Sequence, residues 1–190
     1  LAAAKIHIPV IHIEAGIRML PHSMPEEINR VTTDHLSCVL CCCSDISRKN
    51  LANEGITKGV HICGDIMYDI FLRMTKTFDK KSICKKYGLT ENNYVVATIH
   101  RDYNTDKQES LGEIVTALEK LQKKTGVRVI FPAHPRTIDR LTRFLLMAQA
   151  KKLHMVEPLG YSELLSLVSG ARYVITDSGG LQREAYYAHK

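Results

Sequence analysis

Short runs of β-branched and aromatic residues alternate with longer amphipathic stretches along the whole chain. The short runs predict strands at residues 10–13, 39–42, 60–62, 94–99, 127–131, 155–156 and 173–175. Between most of them, apolar residues recur at three- and four-residue spacing, which is typical of helices that bury one face. Alternating strands and helices predict an α/β fold in which a parallel sheet is covered by helices on both faces.

Local signals support the helices. Ser44 or Asp45 is placed to cap a helix that ends near Gly55, and Pro135 begins another helix. The apolar spacing predicts one helix through Leu111, Ile114, Val115, Leu118 and Leu121 and one through Leu141, Phe144, Leu145 and Ala148.

A polar, lysine-rich segment at residues 76–93 interrupts this alternation. It predicts a crossing from one doubly wound domain (residues 1–80) through a linker (81–93) to a second (94–190). Ligands of such folds bind outside the carboxyl ends of the strands. We therefore expect the functional residues directly after strands, in a cleft between the two domains.

Composition narrows the class of ligand. The chain has 190 residues, 45% hydrophobic and 24% charged, with a formal net charge of +6. It has no basic cluster with interleaved aromatic residues, so nucleic acid is not predicted and an anionic small molecule is favoured. No apolar run reaches membrane-spanning length, so no membrane association is predicted.

The six cysteines do not suggest a disulfide framework. Four of them, Cys38, Cys41, Cys42 and Cys43, crowd one strand-like run, which favours a reducing, cytoplasmic setting. Cys38 and Cys41 have CxxC spacing, but residues three apart on a strand point to opposite faces. Small buried side chains are a better interpretation than a zinc site.

Charged residues follow several of the predicted strands. Glu14 comes directly after the first strand, where a buried charge is costly unless it has a structural partner or a chemical role. His100 and Arg101 follow the fourth strand and can serve an anion. His134 and Arg136 follow the fifth strand. For these four basic residues a surface role that closes a loop is the alternative.

The last strand leads into the sequence TDSGGLQREA. A turn at Ser178, Gly179 and Gly180 with a helix starting at Leu181 places backbone N–H groups at one point, which favours a phosphate group. Glu184, predicted in the first helical turn, can accept hydrogen bonds from ribose hydroxyls. The alternative is a tight turn with a glutamate that complements the helix dipole.

The sequence MPEEINR carries a pair of carboxylates close to Glu14 along the chain. Pro25 begins a helix with Glu26 and Glu27 in its first turn, which complements the helix dipole. With Glu14, this pair also suits acid/base chemistry in one pocket.

Six motifs together resemble one family. HIEAGIR, MPEEINR, GDIMYD, TIHR, PAHPRT and TDSGGLQREA occur in the order seen in non-hydrolysing UDP-N-acetylglucosamine 2-epimerases. The resemblance covers essentially the whole chain but only about half of a full-length member. It implies a glycosyltransferase-B-type fold, here with two incomplete doubly wound domains. It also implies a cytoplasmic homodimer that binds a UDP-sugar in the interdomain cleft.

The resemblance also implies a reaction. UDP-N-acetylglucosamine and UDP-N-acetylmannosamine interconvert by elimination of UDP to a 2-acetamidoglucal and re-addition, in the service of cell-surface polysaccharide synthesis. No nicotinamide, flavin or catalytic metal is implied.

The motifs assign roles by position. Glu14 and Glu26 resemble the two catalytic carboxylates, and His100 resembles the histidine near the departing diphosphate. The turn Ser178–Gly179–Gly180 matches the diphosphate site, and Glu184 matches the glutamate that holds the ribose. Arg101, His134 and Arg136 are the further residues expected to bind UDP.

The chain departs from the family at three places. Tyr103 replaces a residue that is often acidic, and Asp65 replaces a common asparagine. A further catalytic aspartate in an upstream Gly-Asp-Thr segment is absent, so we expect a fragment that does not turn over substrate alone.

Three other functions remain open on these residues. They are a hydrolysing 2-epimerase that releases N-acetylmannosamine, a UDP-sugar transferase of the same fold, and a non-catalytic nucleotide-sugar-binding module.

Overall fold

The structure is a computed structural model that describes residues 1–20 and 24–190. It divides into two compact units, Leu1–Ile70 and Phe71–Lys190. Each unit has its own parallel sheet. The division falls within one helix, Ile66–Met74.

The first unit is built on a three-stranded parallel sheet in the order β1-β2-β3. The strands are β1 (Ile11–Ala15), β2 (Val39–Cys42) and β3 (Val60–Ile62). The helices are α1 (Ala2–Lys5), α2 (Pro25–Leu36), α3 (Asp45–Asn53) and the start of α4 (Ile66–Met74). One face of the sheet forms the core with Leu51 of α3, whereas Ile11 and Ile13 on the other face are exposed.

The second unit contains a four-stranded parallel sheet in the order β6-β5-β4-β7. The strands are β4 (Tyr94–Thr98), β5 (Arg128–Pro132), β6 (His154–Val156) and β7 (Tyr173–Thr176). After the 3-10 turn Thr75–Thr77, the helices are α5 (Lys80–Tyr87), α6 (Asp102–Thr105), α7 (Gln108–Thr125), α8 (Pro135–Arg143), α9 (Met147–Ala150), α10 (Tyr161–Gly170) and α11 (Gly179–Tyr187).

Both faces of the second sheet are covered, as the sequence predicts. Along β4, Val95 and Ala97 pack with α7 on one side, while Tyr94 and Val96 pack with α10 on the other. The two-residue alternation of a strand therefore separates two apolar cores. Strands occur at all seven predicted places. Two have the predicted ends, and the other five differ by one or two residues.

One predicted helix is wrong. The stretch through Leu141 and Ala148 is two helices, because α8 ends at Arg143 and α9 begins at Met147. Leu145 has a left-handed φ of 59°, and the N–H of Leu146 donates to the carbonyl of Leu141 at 2.8 Å. This is the Schellman ending of a helix, with leucine at the position that usually carries glycine.

The segment predicted as a linker contains a helix. Ile83 and Cys84 of α5 are buried in one of the cores of the second unit. Phe71 also belongs to this unit, because its ring packs against Phe78 at 5.7 Å and Tyr187 at 5.6 Å. The lysines on the exposed side of α5 give the sequence its linker-like character. The chain passes from the first compact unit to the second between residues 70 and 71, before the predicted linker.

Two helical glycines should respond in opposite ways to alanine. A Cβ at Gly170 would lie 2.6 Å from the Tyr94 hydroxyl, which donates at 2.6 Å to the Leu167 carbonyl. A Cβ at Gly112 would meet only Leu146, at 3.7 Å. In the full-length protein we expect Gly170→Ala to destabilise by about 1–3 kcal/mol and Gly112→Ala to stabilise by up to about 1 kcal/mol, as measured by urea unfolding.

The Tyr94 hydroxyl is the specific cause in this prediction. In a Tyr94→Phe background the cost of Gly170→Ala should shrink, because the clashing oxygen is gone. An unchanged cost in that background would contradict the steric explanation.

Candidate functional site

Glu14 lies at a bulge in strand β1. Ile13 pairs with Cys41, but Ala15, not Glu14, pairs with the next residue, Cys42. An uninterrupted register would have put Glu14 opposite Cys42, in the row that forms the core. The bulge inserts one extra residue, so that the small Ala15 fills the core position and the carboxylate is displaced from it. Glu14 has a φ of 68°, which is rare for a residue with a side chain.

Asp34 of α2 supports the chain around this bulge. Its carboxylate accepts hydrogen bonds from His12 Nδ1 at 2.6 Å and from the backbone N–H of Gly16 at 3.1 Å. Arg18 donates to it at 2.7 Å and also pairs with Glu54 at 2.6 Å. These carboxylates raise the pKa of Arg18 above its ordinary value. The Asp34 side chain is fully buried.

The two glutamates at the start of α2 have different environments. Pro25 is the first helical residue, and both glutamates lie in the first turn, as the sequence predicts. Glu27 is 1% exposed and accepts a hydrogen bond from the N–H of Met19 at 3.0 Å, so it holds the preceding loop. Glu26 is exposed, which leaves it as the better candidate for chemistry.

In the second unit, Asp177 organises the loop that follows β4. Its carboxylate accepts from the backbone N–H of His100 at 3.0 Å and of Arg101 at 2.9 Å, and from Asn104 Nδ2 at 2.9 Å. His100 Nδ1 lies 3.1 Å from the same carboxylate. Because β4 and β7 are neighbours, one residue after β7 fixes two candidate residues after β4.

The glycine turn forms as predicted, but its helix begins earlier. Ser178 is the N-cap, and its Oγ accepts from the N–H of Leu181 at 3.3 Å. Helix α11 starts at Gly179, two residues before the predicted start, so both glycines lie in its first turn. First-turn N–H groups have no partner within their helix. A Cβ at Gly179 would lie 3.8 Å from Arg101 Nη2, which places a guanidinium beside this helix end.

Glu184 differs from its predicted placement. Because α11 begins at Gly179, Glu184 lies in the second helical turn, and it is 5% exposed. Burial raises its pKa, while a hydrogen bond from the Tyr161 hydroxyl lowers it. Burial and the same contact raise the pKa of Tyr161 to about 12. The two residues form a pair at the start of α10.

His134 and Arg136 have local partners. His134 is the N-cap of α8, and its Nδ1 accepts from the N–H of Arg136 at 3.3 Å. The Arg136 guanidinium donates to Asp106 at 2.8 Å and to Asp102 at 3.0 Å. Arg136 and Arg140 together lower the pKa of Asp106. This ion pair ties α6, directly after His100 and Arg101, to α8.

The cysteines are free thiols in different surroundings. Cys42 and Cys84 are buried, whereas Cys38 and Cys63 are exposed, so small buried side chains account for only some of them. Among residues 1–20 and 24–190 there is no group of three or more residues able to hold a metal ion. Within the same residues, no helix is both long and apolar enough to cross a membrane.

Sequence reasoning missed three residues that shape these sites: Asp34, Asp177 and Tyr161. Asp177 could have been found, because it directly follows a strand and precedes the glycine turn. Asp34 lies in the last turn of α2, and Tyr161 is the first residue of α10. Nothing in their spacing indicates the partners that the fold brings to them.

Comparison with known proteins identifies similar chains. A family model described as UDP-N-acetylglucosamine 2-epimerase matches residues 1–190. A UDP-N-acetylglucosamine 2-epimerase homolog of Methanococcus maripaludis is 41% identical over 192 residues, 98% of this chain and 53% of the relative. The UDP-2,3-diacetamido-2,3-dideoxy-D-glucuronate 2-epimerase of Pseudomonas aeruginosa is 38% identical over 195 residues, 100% of this chain and 52% of the relative.

Solved structures agree with these matches. The crystal structure of Methanocaldococcus jannaschii UDP-GlcNAc 2-epimerase in complex with UDP-GlcNAc and UDP has a TM-score of 0.89 at 37% identity. The match covers 98% of this chain and 53% of that one. The chain thus spans about half the length of the relatives it matches. This likeness and the two parallel sheets confirm the predicted α/β fold of the glycosyltransferase-B type.

Replacing Asp177 should loosen the loop that carries His100 and Arg101. In Asp177→Asn an amide group would face backbone N–H donors that now meet a carboxylate 7% exposed. We expect destabilisation of about 2 kcal/mol or more in urea unfolding of the full-length protein. Faster hydrogen–deuterium exchange at the amides of His100 and Arg101 should accompany it.

Asp139→Asn is the matched control, because that side chain is 60% exposed and pairs with Arg140 at the surface. Its effect should stay within about 0.5 kcal/mol. Equal effects of the two substitutions would contradict the role given to Asp177.

Proposed function

The chain belongs to the UDP-N-acetylglucosamine 2-epimerase family, and from this premise we propose that the full-length protein inverts C2 of a UDP-N-acetylhexosamine. The substrate pair is UDP-N-acetylglucosamine and UDP-N-acetylmannosamine. The observation that carries the proposal is the bulge at Glu14. There, a residue with a carboxylate side chain has a rare backbone conformation at the carboxyl end of a parallel strand. Such strain concentrates at functional sites.

The proposed reaction is an elimination followed by a re-addition. One carboxylate takes the C2 proton, the C1–O bond breaks with its electron pair going to UDP, and a 2-acetamidoglucal is left. A phosphate oxygen of UDP then bonds to C1 again while a proton is delivered to the opposite face of C2. The cycle is redox-neutral, so the proposal includes no nicotinamide, flavin or metal.

Glu14 and Glu26 are the two carboxylates in this proposal. Both belong to the first unit. Glu14 lies near the carboxyl end of a strand, and Glu26 lies in the first turn of a helix. General acid–base groups of this kind contribute about 10²–10⁴-fold to rates.

The second unit supplies the proposed UDP site. First-turn N–H groups at Gly179 and Gly180, together with Arg101, suit a diphosphate. His100 is proposed to act near the departing diphosphate, and Glu184 to hold the ribose. Arg136 pairs with Asp102 and Asp106, and His134 caps α8. That both residues also bind UDP stays a prediction.

A second candidate substrate follows from one relative. The Pseudomonas aeruginosa enzyme, named for a UDP-2,3-diacetamido-2,3-dideoxy-D-glucuronate, is 38% identical to this chain. That sugar differs by an acetamido group at C3 and a carboxylate at C6 but keeps the C2 centre. The same epimerisation would apply. A homodimer, a cytoplasmic location and the domain limits given above stay predictions.

Deuterium labelling tests the reaction itself. The full-length protein is incubated in deuterated water with UDP-N-acetylglucosamine or with the diacetamido-glucuronate, and proton NMR follows C2. We expect loss of the C2 proton signal and appearance of the 2-epimer still joined to UDP. Free N-acetylmannosamine would indicate the hydrolysing alternative. No labelling with either sugar, despite UDP binding, would favour a transferase or a binding module.

Substitution of the carboxylates tests their roles. In the full-length protein, Glu14→Gln or Glu26→Gln should lower kcat by about a hundredfold or more, because neither amide can exchange a proton with carbon. The affinity for UDP, measured by calorimetry, should change little. Glu109→Gln, at an exposed position in the first turn of α7, is the control and should leave kcat unchanged. Normal turnover by both site variants would remove these carboxylates from the mechanism.

A further inference from the structure

The buried carboxylate of Asp34 contacts the chain on both sides of Glu14. It accepts from His12 Nδ1 at 2.6 Å, two residues before Glu14, and from the Gly16 N–H at 3.1 Å, two residues after it. We propose that Asp34 is a positioning residue, which fixes the bulge and so sets where Glu14 presents its carboxylate. This inference rests on the proposed function, in which Glu14 takes part in proton transfer at C2.

Burial makes this contact hard to replace. The Asp34 side chain has no exposed surface, and a buried carboxylate is stable only when it is paired and hydrogen-bonded. Three groups meet that need: His12, the Gly16 N–H and Arg18, which donates at 2.7 Å. All three belong to the segment that carries Glu14, so the charge has its partners only when this segment is folded as observed.

The far side of the bulge is fixed as well. The Gly16 carbonyl accepts from Asn50 Nδ2 of α3 at 2.9 Å. A Cβ at Gly16 would lie 2.2 Å from the Ser47 carbonyl oxygen, and its φ is 74°. The peptide after Glu14 is therefore held between α2 and α3, with no room to relax toward a regular strand. Glu14 keeps its own left-handed φ of 68° because both neighbours are anchored.

The anchor and the second carboxylate share one helix. Glu26 lies in the first turn of α2, and Asp34 lies eight residues later in the same helix. Helical residues rise by about 1.5 Å each, so a stiff rod of about 12 Å separates the two positions. Asp34 thereby relates the position of Glu14 to that of Glu26. A misplacement of about 1 Å in such a pair can cost about a hundredfold in rate.

A purely structural salt-bridge network is the alternative explanation. Arg18 joins Asp34 to Glu54, the residue that caps the end of α3. If the network served stability alone, loss of either acid would lower the melting temperature and leave the chemistry of folded molecules unchanged. If Asp34 positions Glu14, loss of the Asp34 carboxylate should lower kcat, whereas loss of the Glu54 carboxylate should not.

The test uses Asp34→Asn, which keeps the shape of the side chain and removes its charge. In the full-length protein we expect kcat for deuterium incorporation at C2 to fall about tenfold to a hundredfold. The KM and the Kd for UDP should change less than about twofold, because misplacement affects the transition state. Glu54→Gln is the matched control and should leave kcat within about twofold of the wild type.

A second pair of variants guards against misfolding of Asp34→Asn. His12→Ala removes only the contact before Glu14, whereas His12→Gln keeps a donor there. Kcat should be lower in His12→Ala than in His12→Gln, at matched melting temperatures.

Three results would overturn the inference. They are wild-type kcat in folded Asp34→Asn, equal loss of kcat in Glu54→Gln, and equal kcat in the two His12 variants. Absence of labelling by the wild-type protein would overturn the proposed function and this inference together. A labelled wild type beside an equally active Asp34→Asn would overturn the inference alone.

Discussion

Backbone N–H groups in the segment after a parallel strand need new acceptors, because the hydrogen bonds between strands end with the strand. In each unit an aspartate whose side chain is at most 7% exposed meets this need. Asp34 accepts from the segment after β1, and Asp177 accepts from the segment after β4. Each carboxylate comes from a neighbouring element of the same unit, so a loop near the candidate site is fixed by the sheet and its covering helices. The positions of Glu14, His100 and Arg101 all depend on this arrangement.

Some acidic residues thus support the fold while others are candidates for chemistry, although the sequence does not distinguish them. The side chains of Glu27, Asp34 and Asp177 are at most 7% exposed and accept from backbone N–H groups, while Glu26 is exposed. A shifted pKa is not by itself a sign of chemistry. Lys123 and Lys152 lower the pKa of Glu119 to about 2, yet Glu119 lies within α7 and does not follow a strand. Position after a strand is the better guide in this fold.

The regular part of the fold was predictable because two-residue and three-to-four-residue periods are written directly in the apolar pattern. The irregular part was not. Leu145 adopts a left-handed conformation that usually belongs to glycine, because α8 ends there. The many lysines of α5 make its sequence resemble a linker, although it is a helix. For the candidate site, the sequence was sufficient to predict the residue types and their order along the chain. The bulge at Glu14 and the partners of Asp34 depend on which elements become neighbours, and that information is not local.

The bulge also gives neighbouring residues 14 and 15 different constraints on their side chains. Residue 15 must be small, because Ala15 takes the fully buried place opposite Cys42. Residue 14 is released from that packing, so its identity can follow the needs of the ligand. The proposed catalytic carboxylate can therefore stay at residue 14 while residue 15 meets the packing demand of the core. Deletion of one residue from this strand would remove the bulge. A charged side chain would then take the buried position opposite Cys42.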